Sequence, residues 1–264
     1  MAYMRSTAKP RTYTRRMSLS PSDAALYAIV SGPPPASVAE VIGAMEAIDA
    51  ALPETDGLKW FNRMYLTVTR GVDTVPPVGG WKDERWLMGL DVVFAGLYFE
   101  ALRRYLEGTA AVPDSWRALM DSRADVSIDR IQFALAGMNA HINHDLALAL
   151  LATDKQFGVA PACGSPQHQD YEAVNNLLQQ VMPAELTTLA VDTLGLAAQD
   201  TGKIGRLLAF WDLCAAREFA WQFADHLRPL TGAQRAAALV LQDRMTGVVG
   251  RAILAFEVPQ LRRV

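Results

Sequence analysis

The chain has 264 residues, of which 51% are hydrophobic and 20% are charged, and its formal net charge is −3. A chain of this length buries most of its apolar surface by itself, and the composition excludes disorder throughout. The slightly acidic balance argues against a nucleic-acid-binding protein. Because its two cysteines, Cys163 and Cys214, cannot form a disulfide framework or a zinc-finger set, we expect a reduced, cytoplasmic setting.

Residues 1–36 are predicted to form a flexible basic arm, and residues 37–264 a single helical domain. The arm carries five basic residues and no acid before Asp23, and it ends in the proline run at 33–35. Within the arm, Pro21 begins a predicted short helix that ends at Val30. No apolar segment of roughly 18 to 20 residues is free of polar interruptions, so we expect no membrane span. We also expect no signal peptide.

After the arm, the chain is predicted to be helical almost throughout. Ser37 and Glu40 form a capping box, and Thr231 and Gln234 form a second one. The predicted helices, separated by segments rich in glycine and proline, span residues 37–52, 58–70, 83–107, 113–123, 127–153, 166–181, 183–195, 202–227 and 231–256. Since alternating strand patterns are absent, the predicted fold class is all-α.

Residues 133–151, which form most of the predicted helix at 127–153, are apolar on every side of the helix axis. This central helix is therefore expected to lie buried at the centre of a multi-helix bundle. It nevertheless contains five polar residues: Asn139, His141, Asn143, His144 and Asp145. Burial of such groups without partners would cost a few kcal/mol each. The spacing i, i+3, i+4 places His141, His144 and Asp145 on one face. The two asparagines lie on the opposite face and are expected to bond to neighbouring helices.

Two imidazoles and a carboxylate on one face are compatible with three interpretations. They suit a zinc or iron ion, with His141, His144 and Asp145 as ligands. They equally suit acid–base catalysis without a metal, in which Asp145 selects the tautomer of a histidine. The third interpretation is a buried hydrogen-bond network that only fixes helix packing. The sequence is therefore compatible with a zinc ion, an iron ion or no cofactor at this cluster.

His168 lies in the first turn of the next predicted helix, at 166–181, and is expected to approach this cluster. Asp170, in the same turn, is the alternative partner for the cluster. Arg217 is expected either to clamp a carboxylate or phosphate of a ligand, or to pair with Asp91 or Asp212. Polar and aromatic residues on other apolar helices are candidates for substrate binding: Asn62, Tyr65, Asp91, Tyr98, Tyr171, Trp211, Arg217 and Trp221.

Three segments, at 61–69, 90–99 and 133–146, resemble a bacterial family of unknown function. The stretch 139–146, which reads NAHINHDL, is the most specific mark, and His168, Asp170, Tyr171 and Asn175 also look similar. The resemblance covers residues 38–256. It implies one domain and a bacterial origin, but no activity.

Two functional hypotheses follow from the residues. The first is an enzyme acting on a small, partly apolar molecule, such as a compound of bacterial specialised metabolism, in a pocket between helices. His141, His144, Asp145 and His168 would be its catalytic residues, with isomerisation, cyclisation, elimination or metal-assisted chemistry left open. The second is a helical carrier that binds a small molecule without converting it. A homo-oligomer is compatible with either.

Overall fold

The computed structural model describes residues 19–194 and 212–255. These residues form helices joined by short loops and contain no strand, which confirms the predicted all-α class. The first five helices are α1 (Pro21–Val30), α2 (Val38–Ala51), α3 (Gly57–Thr74), α4 (Glu84–Leu106) and α5 (Asp114–Ser122). They are followed by α6 (Arg130–Ala140), a π-helical turn (His141–Asp145), α7 (Leu146–Phe157), α8 (Pro166–Leu194), α9 (Leu213–Leu227) and α10 (Gly232–Leu254).

Several helix starts follow directly from local chemistry. Ser37 Oγ accepts a hydrogen bond from the Glu40 amide, while the Glu40 carboxylate accepts one from the amide of Ala36, a variant of the predicted capping box. Asp56 caps α3 in the same way. The capping box predicted at Thr231 is wrong, because the Thr231 side chain makes no capping bond although the helix does begin at Gly232.

Helix α6 lies at the centre of the fold, as its apolar residues predict. Every residue from 131 to 140 is buried. Helix α6 packs between α3 and α10, whereas α7 packs against α4 and α9. The continuous helical segment 130–157 is thus enclosed by neighbours along its length.

Helix α1 packs against α2 and α4, although the sequence pattern places residues 21–30 in a flexible arm. Leu26 is completely buried, and the Arg123 guanidinium bridges Asp23 of α1 and Asp56 at the start of α3. Residues 21–30 are therefore attached to the helical domain by a buried side chain and an ion pair. The basic residues before position 19 lie outside the described residues.

Helix α8 continues to Leu194, whereas the sequence pattern predicts a break at Pro183. Proline lacks an amide proton and so removes one backbone hydrogen bond, but here the backbone stays helical on both sides of it. The predicted helix over 202–227 is described from Leu213 onwards. Among the described helices, none combines the length and apolarity that crossing a membrane requires.

Candidate functional site

The three residues singled out in the central helix lie in the π-helical turn. The amide of Leu146 donates to the carbonyl of His141, five residues earlier, instead of four as in an α-helix. Single π-helical turns inside α-helices occur frequently at functional sites. The turn contacts α4, α9 and α10, so its side chains meet groups from several helices.

The carboxylate of Asp145 is the centre of this cluster. His141 Nδ1 lies 3.0 Å from Oδ2, and His144 Nδ1 lies 2.7 Å from Oδ1. The indole of Trp116, on α5, donates from Nε1 to Oδ2 at 2.9 Å. Burial by itself would raise the pKa of Asp145, but the hydrogen bonds from the two histidines outweigh it and lower the pKa. Asp145 is thus a buried carboxylate with three donors.

The pKa values of the two histidines are shifted in opposite directions. Burial lowers the pKa of His141 despite its bond to Asp145, so this imidazole is neutral at pH 7. For His144, burial is outweighed by the Asp145 hydrogen bond and by the charges of Asp145 and Asp243, and the pKa is raised. The Nε2 atom of His144 lies 3.7 Å from the Asp243 carboxylate, which also accepts hydrogen bonds from the start of α5.

His141 presents a free lone pair inside the protein. A carboxylate can only accept, so Nδ1 of the neutral imidazole carries the proton and Nε2 does not. Nε2 is buried and has no hydrogen-bond partner. The ring is stacked on Phe94, with centroids 3.5 Å apart and planes 7° apart, and Tyr65 lies edge-on at 4.5 Å. His141 is therefore a base held inside an aromatic cage.

A further unpartnered polar atom is Asp91 Oδ2, which is buried without a hydrogen-bond partner, while the hydroxyl groups of Tyr65 and Thr69 are buried close to each other. Burial, with a contribution from the charge of Asp73, raises the pKa of Asp91 to about 7. Burial and then the charge of Asp91 raise the pKa of Tyr65. Unpartnered buried groups are uncommon in native proteins, and each one calls for an explanation such as an ordered water or a ligand.

Two of the predicted substrate-binding residues are occupied by structural hydrogen bonds. Asn62 donates from Nδ2 to the carbonyl of Met45 at 2.9 Å, and Tyr98 Oη donates to Asn62 Oδ1 at 3.4 Å. Both side chains are completely buried. They connect α2, α3 and α4 beneath the cage and are not free to bind a ligand.

A second group of predicted residues lies between α8 and α9. Arg217 donates from Nη2 to the Tyr171 carbonyl and from Nε to Asn175 Oδ1, both at 2.7 Å. The described residues show no ion pair of Arg217 with Asp91 or Asp212: two of its N–H groups bond to carbonyl oxygens of α8 residues, and Asp212 instead caps the start of α9. Trp221 is buried against Tyr171, with ring centroids 5.0 Å apart. Trp211 lies outside the described residues.

His168 turns towards α9 rather than towards the π-helical turn. Its Nδ1 accepts a hydrogen bond from the Gly164 amide, and its ring meets Trp221 edge-on at 4.6 Å. None of its contacts within the described residues reaches His141, His144 or Asp145. The alternative partner, Asp170, instead accepts hydrogen bonds from the amides of Lys82 and Asp83 ahead of α4.

The predicted ligand trio does not have the arrangement of a metal site. His141 and His144 bond opposite oxygens of Asp145, so the carboxylate separates the two imidazoles. Within 19–194 and 212–255, the His, Cys, Asp and Glu side chains whose ligand atoms all lie within 4.8 Å of one another are His168, Glu172 and Glu218. The geometry of the trio favours a hydrogen-bonded His–Asp pair.

Trp116 and Phe94 complete the cluster, and neither was among the predicted site residues. Trp116 lies on a separate helix before the cluster, and its role depends on how α5 packs against α6. Phe94 follows Asp91 by one helical turn, so the two residues share a face of α4. The isolated acid Asp91 on an otherwise apolar helix was therefore the sequence signal that could have pointed to Phe94.

Substitution of Trp116 by phenylalanine is expected to lower the free energy of unfolding by about 1 to 3 kcal/mol, because Asp145 would lose a hydrogen bond to a charged acceptor. Urea unfolding of the two proteins measures this difference. Equal stability would show that the indole proton contributes nothing to holding the carboxylate.

Taken together, the chain is an all-α protein with a buried His–Asp pair in a π-helical turn. A family model described as "Family of unknown function (DUF5995)" matches residues 38–256. The chain belongs to this family. No curated protein matches the chain. No solved structure matches it either.

Proposed function

We propose that this protein is an enzyme that moves a proton on a small, partly apolar substrate, with His141 as the acid–base residue. The observation that carries the proposal is the unpartnered lone pair of His141 Nε2 in the protein interior. Leaving such an atom without a partner costs free energy. A group of this kind, held by a carboxylate on its other nitrogen, is the arrangement that general-base catalysis uses.

Each neighbour has a role in this proposal. His141 Nε2 takes a proton from the substrate, and Asp145 stabilises the imidazolium that forms. Asp91, with its pKa of about 7, and Tyr65 donate hydrogen bonds to the oxygen or nitrogen on which negative charge develops. His141 then returns the proton to another atom, so that the net reaction is an isomerisation, a cyclisation or an elimination. Trp116 and His144 are positioning residues, because they act through Asp145.

The aromatic cage supplies the apolar part of the proposed site. Phe94 covers one face of the imidazole and is itself half-buried, so rotation of its side chain would admit a substrate. Phe61 and Tyr65 line other sides of the ring. Such walls suit a substrate with an apolar body and one polar group.

The proposal is tested with a metabolite extract of bacterial cells incubated in deuterated water with catalytic amounts of the purified protein. We expect mass spectrometry to detect at least one small molecule that changes its structure or gains deuterium. His141→Gln should abolish this change. His226→Gln makes the same substitution at an exposed position on α9 and should leave the change intact.

The melting temperature of each variant is measured on the same samples. If folded His141→Gln converts the same compounds as wild type, the proposal is wrong. If compounds are retained by the protein and recovered unchanged, the second hypothesis, a helical carrier, accounts for the site better. A cytoplasmic location and a homo-oligomeric state remain predictions attached to this proposal.

A further inference from the structure

A second cluster of chemically active side chains lies between α8 and α9, apart from the His141 site. His168 and Glu172 are four residues apart on α8 and therefore share a face, and Glu218 approaches them from α9. One ligand atom from each residue lies within 4.8 Å of the other two. All three residues are partly buried.

One carboxylate oxygen of this cluster has no hydrogen-bond partner. Glu172 Oε1 is buried, with less than 1 Å² exposed, and accepts no hydrogen bond. Glu218 accepts one hydrogen bond, from Gln222. In the described part of the chain no cation pairs with either glutamate, and the neighbouring Arg217 is engaged by Tyr171 and Asn175. Two carboxylates close together with neither charge neutralised repel each other, which a bound cation would reverse.

We propose that His168, Glu172 and Glu218 bind one divalent first-row transition-metal ion, such as Zn²⁺ or Mn²⁺. One imidazole nitrogen and two carboxylate oxygens are a ligand set that these ions prefer, and two negative charges balance the charge of the ion. Three protein ligands leave a coordination position for water. The ion would also tie α8 to α9 where His168 and Tyr171 of α8 contact Trp221 of α9.

The hydrogen bond from the Gly164 amide to His168 Nδ1 gives the proposal a specific structural consequence that can be measured. Binding of a metal at Nδ1 would use the lone pair that accepts this bond. Binding at Nε2 would require the proton of the neutral imidazole to lie on Nδ1, which then could not accept. In either case, metal binding breaks the 3.2 Å bond between Gly164 and His168.

The experiment uses the full chain, freed of metal with a chelator and titrated with ZnCl₂ or MnCl₂ in a calorimeter. We expect one ion per chain, a higher melting temperature, and a shift of the Gly164 amide signal in nuclear magnetic resonance spectra. Glu172→Gln and Glu218→Gln should each weaken binding at least about tenfold. Without metal, Glu172→Gln should be at least as stable as wild type, because it removes one of two neighbouring carboxylates and keeps the size of the side chain.

Two control variants test whether the ion binds at this cluster and nowhere else. Asp225→Asn removes a carboxylate from α9 outside the cluster and should leave metal affinity unchanged. His144→Gln alters the trio at the π-helical turn and should also leave it unchanged. The proposal is overturned if wild type binds no ion, if Glu172→Gln and Glu218→Gln bind as well as wild type, or if His144→Gln abolishes binding.

Discussion

Asp91→Asn is expected to become progressively more stable than wild type as the pH rises from about 4.5 to 8. The pKa of Asp91 is raised from 3.8 to about 7 by burial and by the charge of Asp73, so the folded protein keeps a proton that the unfolded chain releases. Wild type therefore loses stability as the pH rises through this range, whereas asparagine does not titrate. At about 1.36 kcal/mol per pKa unit, the full difference amounts to about 4 kcal/mol.

The measurement is urea unfolding of both proteins at several pH values. Taking the difference between the two proteins cancels the contributions of titrating groups that do not interact with Asp91. A difference between Asp91→Asn and wild type that does not vary with pH would contradict the raised pKa.

Gly137→Ala is expected to lower the free energy of unfolding by about 3 kcal/mol. Helix α6 approaches α3 so closely here that a Cβ atom on residue 137 would lie 2.4 Å from Cγ and 2.6 Å from Cβ of Phe61. These atoms are at the root of the Phe61 side chain, so no rotation of the ring relieves the overlap. The helices would have to separate, and with them the aromatic contacts around His141.

Gly96→Ala is the matched control, because residue 96 also lies inside a helix but a Cβ there would meet no atom within 4 Å. Alanine has the higher helix propensity, so this substitution should stabilise the protein by about 0.5 to 1 kcal/mol. Chemical unfolding of both variants measures the contrast. Equal effects of the two substitutions would refute the close approach of α3 and α6.

Much of the fold could be predicted from local patterns. Ser37 caps α2 because its hydroxyl reaches a free amide within four residues, an interaction that depends only on neighbours in the sequence. The central position of α6 follows from apolar residues on every side. The continuation of α8 through Pro183 was not predictable in this way, since local pattern treats a proline inside a helical segment as a point where the helix ends or kinks.

The candidate site was only partly predictable for the same reason. Two histidines and an aspartate inside an apolar helix indicated a cluster, but spacing alone does not say whether such groups face a ligand or one another. Asp145 lies between the two histidines and bonds to both. Trp116 and Phe94 belong to other helices, and the orientation of His168 towards Trp221 depends on how α8 packs, so no local pattern could assign these contacts.

The π-helical turn also changes how the two halves of the central segment relate to each other. A turn closed over five residues holds one residue more than an α-helical turn, so side chains after residue 145 are rotated relative to an uninterrupted helix. With this rotation, α6 packs against α3 and α10, while α7 packs against α4 and α9. A single-residue deletion within 141–145 would restore a regular helix but misalign one of these two interfaces. The wider turn is thus needed for the packing of α6 and α7, independently of any chemistry carried out at His141.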